Sequence, residues 1–131
     1  MTTTSTPTPT SQDIVDGYFE CWNAGDPDER SAAIAKTWTE EATSSDPLSE
    51  VTGHAELAAM MSTVQAQYPG HTFRQVGEVD GHHGLLRWSW EMVDVDGTKV
   101  LDGLDVALRG EDGRLSYLAG FFEAPVAGDV D

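Results

Sequence analysis

The sequence predicts an α+β domain: three N-terminal helices packed on one face of a curved antiparallel β-sheet, closing a cone around an apolar hollow. Three observations predict it. Up to residue 70 the apolar residues recur at helical spacing, in three runs separated by Gly and Pro. From His71 to Phe122 the spacing changes to that of strands. Within that second half, Asp96-Gly97 and Asp112-Gly113 mark hairpin turns.

The first helix opens at Thr10 or Ser11, either of which can cap it, with Asp13 near its positive end. Ile14, Val15, Tyr18, Phe19 and Trp22 fall on one stripe, and Gly25 ends the helix. Asp26-Pro27-Asp28-Glu29 then reads as N-cap, first-turn proline and capping-box acid. The helix it starts presents Ala33, Ile34, Thr37 and Trp38 on one face. Glu41 to Asp46 is expected to be a brief strand ending at Pro47. A third helix begins near Thr52 or Gly53, turns Leu57, Met60, Met61 and Val64 to the core, and stops at Pro69-Gly70. Phe73 to Val79 and Leu85 to Val93 are strands, and the Asp-Gly turns add two more. Residues 1–10, rich in Thr, Ser and Pro, read as a disordered tail, 11–124 as one domain, and 125–131 as an acidic C-terminal tail.

Composition narrows the function. The chain has 131 residues, of which 39% are hydrophobic, enough for the core of one domain. Its 23 acidic and 7 basic residues give a net charge of −16. That charge repels phosphate, which argues against nucleic acid and against an anionic membrane as partners. No apolar run reaches membrane-spanning length, no basic-then-apolar leader opens the chain, and a lone cysteine suits a reducing compartment. A cytoplasmic location is therefore expected. The four histidines lack the spacing of a zinc site, and neither GxGxxG nor a P-loop occurs, so neither metal nor cofactor is expected. Cys21 has no histidine beside it in sequence and reads as a small buried residue.

If each Asp-Gly is a two-residue turn, the register follows. Val95 then faces Thr98, Trp90 faces Gly103, and Trp88 faces Asp105. Asp105 in turn faces Gly120, and Gly103 faces Phe122. Trp88, Trp90, Gly103, Asp105, Gly120 and Phe122 share one face with Met92, Leu101 and Leu118, and Asp105 is the carboxylate among them. A carboxylate there is costly to desolvate and has no Lys or Arg on its face. Hydrogen bonding or protonation is the expected response. The other face mixes Arg87, Ser89, Glu91, Leu104, Val106, Leu108, Tyr117 and Phe121, a pattern that suits self-association into a homodimer.

Three segments carry a resemblance: Tyr18-Phe19-Glu20-Cys21-Trp22-Asn23-Ala24-Gly25-Asp26, then Glu41-Ala42-Thr43-Ser44-Ser45-Asp46-Pro47, then Leu104-Asp105-Val106 with Asp112-Gly113-Arg114 following. In that order they resemble the nuclear transport factor 2-like superfamily, a cystatin-like α+β roll. It includes ketosteroid isomerases, scytalone dehydratases and SnoaL-like polyketide cyclases. The resemblance implies Tyr18 and Asp105 as oxyanion donors and Asp46 as the general base. His71, where a strand enters the same region, would be a second acid or base. Trp88, Trp90, Phe122, Phe73, Met92 and Leu118 would form the substrate wall. The implied activity is cofactor-independent proton transfer (isomerisation, cyclisation or dehydration) on a small or medium apolar carbonyl compound. The alternative is a non-catalytic ligand-binding or assembly module of the same fold. Asp46 before Pro47 also reads as a turn starter, and Tyr18 as a core aromatic.

Overall fold

Nine elements follow one another in the computed structural model, which describes residues 8–122. The expected tails fall largely outside those residues: 1–7 and 123–131 are not described. Helix α1 (Ser11–Asn23) starts from a closed capping box, in which Thr10 Oγ1 accepts from Asp13 N and Asp13 Oδ2 accepts from Thr10 N, each at 3.0 Å. Helix α2 (Pro27–Thr37) is capped by Asp26, which accepts from Glu29 N at 2.8 Å. Glu29 reaches one residue beyond the box and accepts from Gly25 N at 2.7 Å.

Strand β1 (Trp38–Ser45) begins where α2 ends, so Trp38 belongs to a strand and not to the helix face assigned to it from sequence. It is fully buried in either role. The three-residue β2 (Glu50–Thr52) pairs back on β1 and was not expected, being short and polar. Helix α3 (His54–Gln67) crosses to the far edge, where β3 (Thr72–His82), β4 (Leu85–Val93), β5 (Lys99–Arg109) and β6 (Leu115–Phe122) form a meander. The sheet order is β2-β1-β6-β5-β4-β3. The sheet is mixed where an antiparallel one was expected, because β1 runs parallel to β6. Those two strands are joined through α3 and the whole meander, so no tight turn imposes a reversal on them.

The predicted register is present: Trp88 pairs with Asp105, Trp90 with Gly103, Asp105 with Gly120 and Gly103 with Phe122. The turns that produce it differ from expectation. Each has three residues, Val95-Asp96-Gly97 and Glu111-Asp112-Gly113, closed by Asp94 N to Thr98 O and Gly110 N to Arg114 O. Both end in a glycine at positive φ, +83° and +90°. Pairing then passes from Val93↔Lys99 to Met92↔Leu101, and from Arg109↔Leu115 to Leu108↔Tyr117. Val100 and Ser116 are left over as bulges, and each offsets the extra turn residue. At the β3–β4 turn, the Nδ1 atoms of the neighbouring His82 and His83 lie 3.1 Å from each other.

The core lies between the helices and one sheet face. Tyr18 meets Trp88 edge-on at 5.0 Å, Trp22 meets Phe73 at 4.8 Å, and Phe73 meets Trp90 at 5.5 Å. Arg30, 4% exposed, joins the three helices. It donates to Cys21 O, Ala24 O, Ser62 Oγ and Gln65 Oε1, and so satisfies carbonyls at the C-terminal end of α1. Cys21 is fully buried, and burial pushes its thiol up to about 12, which leaves it inert at neutral pH. Among the described residues no helix is long and apolar enough to cross a membrane.

Candidate functional site

Between α1, α3 and the inner face of the sheet lies a cavity of about 100 Å³. Each of its walls has a sequence cause. The stripe of α1 supplies Tyr18 and Trp22, one helical turn apart. The register supplies Trp90 and Met92 from β4, Asp105 from β5, and Leu118, Gly120 and Phe122 from β6. Phe73 comes from β3, and Asp46 from the turn after β1.

Asp105 is 2% exposed. Burial pushes its carboxyl up to about 7. The Tyr18 hydroxyl and the Trp90 indole face the carboxyl and draw it part of the way back, and the charge of Asp46 pushes it up again. Oδ2 accepts no hydrogen bond, and the Trp90 indole N–H closes none, among the described residues. The Tyr18 hydroxyl is itself driven well above the ordinary tyrosine value, first by burial and then by the adjacent Asp105. It therefore keeps its proton and remains a donor at any ordinary pH.

Asp46 is half-buried at the rim. Its Oδ1 accepts from Leu48 N at 2.8 Å and from Ser49 N at 3.0 Å, so the turn-starter role is real. The same residue lines the cavity opposite Asp105. Gly120 makes this pairing possible. A Cβ there would lie 2.9 Å from Asp105 Oδ1 and 3.4 Å from the Cβ of Asp46. The missing side chain leaves open the space between the Asp105 carboxyl and the Cβ of Asp46.

Of the residues expected at the site, Tyr18, Asp46, Asp105, Trp90, Phe122, Phe73, Met92 and Leu118 are brought together. Two are not. Trp88 is 1% exposed and sits beneath Tyr18, so it backs the wall without lining it. His71 lies outside the cavity lining, with Nδ1 3.1 Å from Pro69 O and its ring 5.5 Å from that of Tyr68. The residues missed are Ser44, Ser49, Gln67 and Tyr68, with the exposed Leu48 at the mouth, while Trp22, Met60, Val64, Leu101 and Gly120 were read as core or inner-face positions and also line the cavity. Gln67 and Tyr68 continue the helical face of Met60 and Val64, a spacing that could have found them.

The family model of the SnoaL-like domain matches residues 15–118. A presumptive isomerase of the SnoaL-like family from Agrobacterium tumefaciens is 31% identical, with a TM-score of 0.83 over 87% of this chain and 97% of that one. A presumptive polyketide cyclase from Sinorhizobium meliloti is 16% identical, with a TM-score of 0.66 over 85% of this chain and 98% of that one. A protein of unknown function with a cystatin-like fold, from Methylobium petroleophilum, is 18% identical, with a TM-score of 0.71 over 95% of this chain and 84% of that one. No curated protein matches. The fold is thus the nuclear transport factor 2-like, cystatin-like arrangement.

Proposed function

We propose that this chain, which belongs to the SnoaL-like domain family, is a cofactor-independent proton-transfer enzyme acting on a small apolar carbonyl compound. The observation that carries the reading is Asp105: a carboxyl buried among aromatic rings, near 7, with one oxygen free and the cavity in front of it. In its protonated form it donates to a ligand oxygen. Tyr18 donates beside it. Removing one such donor in an enclosed site typically slows a reaction by about a hundredfold or more. Asp46, at the rim, takes the proton from the carbon next to the carbonyl. Returning it to another carbon is isomerisation, attack by the enolate carbon is ring closure, and loss of a neighbouring hydroxyl is dehydration.

The cavity limits the reacting part of the substrate. Drug-sized ligands occupy roughly 300 Å³ or more, whereas this hollow encloses about 100 Å³. A short carbonyl compound fits wholly. A longer one enters by its reactive end, past the exposed Leu48.

The test is hydrogen–deuterium exchange at the carbon beside the carbonyl, followed by NMR over a panel of short ketones and esters in heavy water. Exchange is expected with the wild type, and its loss in Asp46→Asn and in Asp105→Ala. Exchange unchanged in both variants would refute the scheme. One observation favours the alternative, a ligand-binding module: Asp46 Oδ1 is already engaged by two backbone N–H groups of its own turn. A binder of that kind keeps its affinity in Asp105→Asn.

The reading includes a homodimer in the cytoplasm. The outer sheet face exposes Leu104, Leu108, Tyr117 and Phe121, the last at 57%, and a second copy would cover them. Light scattering of the wild type against Phe121→Arg tests this, with a dimer expected for the first and a monomer for the second. A wild-type monomer would refute it.

A further inference from the structure

Asp46 and Asp105 share a cavity whose lining includes no Lys, Arg or His. Among the described residues the buried carboxyl of Asp105 thus has no cationic partner, and its Oδ2 accepts no hydrogen bond. A buried carboxylate so placed is an incomplete pair. The same cavity is lined by the rings of Trp22, Phe73, Trp90 and Phe122, in a continuous series with neighbouring centroids 4.8, 5.5 and 5.8 Å apart. Aromatic faces attract cations, and a chain of net charge −16 draws cations toward its openings. Two carboxyl groups, aromatic walls and an unmet acceptor together describe a receptor for positive charge.

We infer that the cavity binds a compact protonated amine, whose ammonium group pairs with Asp105 and Asp46 while its apolar body lies against Trp22, Phe73, Trp90 and Phe122. The volume of about 100 Å³ sets the size of that body. A hollow of about 150 Å³ admits benzene, so the amine carries about four carbons.

This inference goes beyond the carbonyl reading and does not rest on it. A carbonyl ligand needs Asp105 protonated, as a donor, whereas an ammonium needs it ionised, as a counterion. The two ligand classes therefore compete for one place with opposite pH preferences. The titratable groups facing Asp105 are few. Tyr18 approaches from α1, Asp46 from the end of β1, and Tyr68 lies across the cavity beyond α3. From β4 and β6 come no charged side chains, since Arg87, Glu91 and Tyr117 alternate to the outer face.

The experiment uses one apolar body with three heads: tert-butylammonium, tert-butanol and trimethylacetate. Binding to the full chain is read by tryptophan fluorescence and by amide NMR. At about pH 8 the ammonium is expected to bind about tenfold tighter than the alcohol, and the carboxylate not at all. The preference narrows as the pH is lowered through about 7, where Asp105 takes up its proton. Asp105→Asn removes that pH dependence, and the wild-type profile alone decides the matter if the variant does not fold. Equal affinity for alcohol and ammonium, binding of trimethylacetate, or no binding of the ammonium at millimolar concentration overturns the inference. Failure of the carbonyl reading shows elsewhere, as absent exchange at carbon, whatever the amine does.

Discussion

Replacing Asp105 by Asn is expected to stabilise the protein at neutral pH and to leave it unchanged in acid. Burial lifts this carboxyl from 3.8 to about 7 in the folded chain. A carboxyl raised on folding is protonated more readily in the folded than in the unfolded state. Its contribution to stability is complete below about pH 4 and is lost as the pH rises through about 7. At about 1.4 kcal/mol per pH unit, the span from 3.8 to about 7 amounts to about 4 kcal/mol. Asn has nearly the same shape and no charge to bury. The stability of Asp105→Asn minus that of the wild type should therefore be near zero at about pH 4 and about 4 kcal/mol at about pH 7. Urea unfolding of both proteins across this range measures it. The subtraction matters, because the other acidic residues alter stability with pH in both proteins alike and cancel. A difference that stays constant to within about 1 kcal/mol from acid to neutral pH would show that Asp105 carries no such burden, and the donor role would fall with it.

Two further perturbations follow from the same coordinates. Gly120→Ala places a methyl group 2.9 Å from Asp105 Oδ1, and a carboxyl only 2% exposed among packed side chains has little room to turn away. It should cost about 1–3 kcal/mol in urea unfolding and weaken any cavity ligand seen by tryptophan fluorescence. Arg30→Met removes the donors to two carbonyls and two side chains at the junction of the helices. A loss of about 2–4 kcal/mol is expected, with little recovery in Arg30→Lys, whose single ammonium cannot span the four acceptors.

The sequence made the fold legible wherever the code is local. Thr10 with Asp13, and Asp26 with Pro27, mark helix starts because the cap and the helix it serves lie within four residues. The strand register was legible because it can be counted from the two Asp-Gly turns, and the count survives because a bulge at Val100 or Ser116 offsets the third residue of each turn. The parallel pairing of β1 with β6 was not legible. Its partners are some 70 residues apart (Ser44 and Leu118, for example), and nothing in either strand names the other. The site divides in the same way. That Asp105 points inward follows from parity along β5, but depth does not. Trp88 and Trp90 share a face, and only the position of Tyr18 decides that the first is covered and the second lines the cavity. His71 stands at the right place in the chain, yet the carbonyl of Pro69 and the ring of Tyr68 hold it elsewhere.

The extra residue in each hairpin loop and the leftover residue in the adjoining strand behave like a checksum. Either can be gained or lost only if the other changes too. Deleting Asp96 with the bulge at Val100 kept would slide the distal strand by one position and turn the acid at 105 toward water, exchanging it for a hydrocarbon neighbour. A one-residue change in either hairpin is thus either matched at the second point or becomes an inversion of inside and outside.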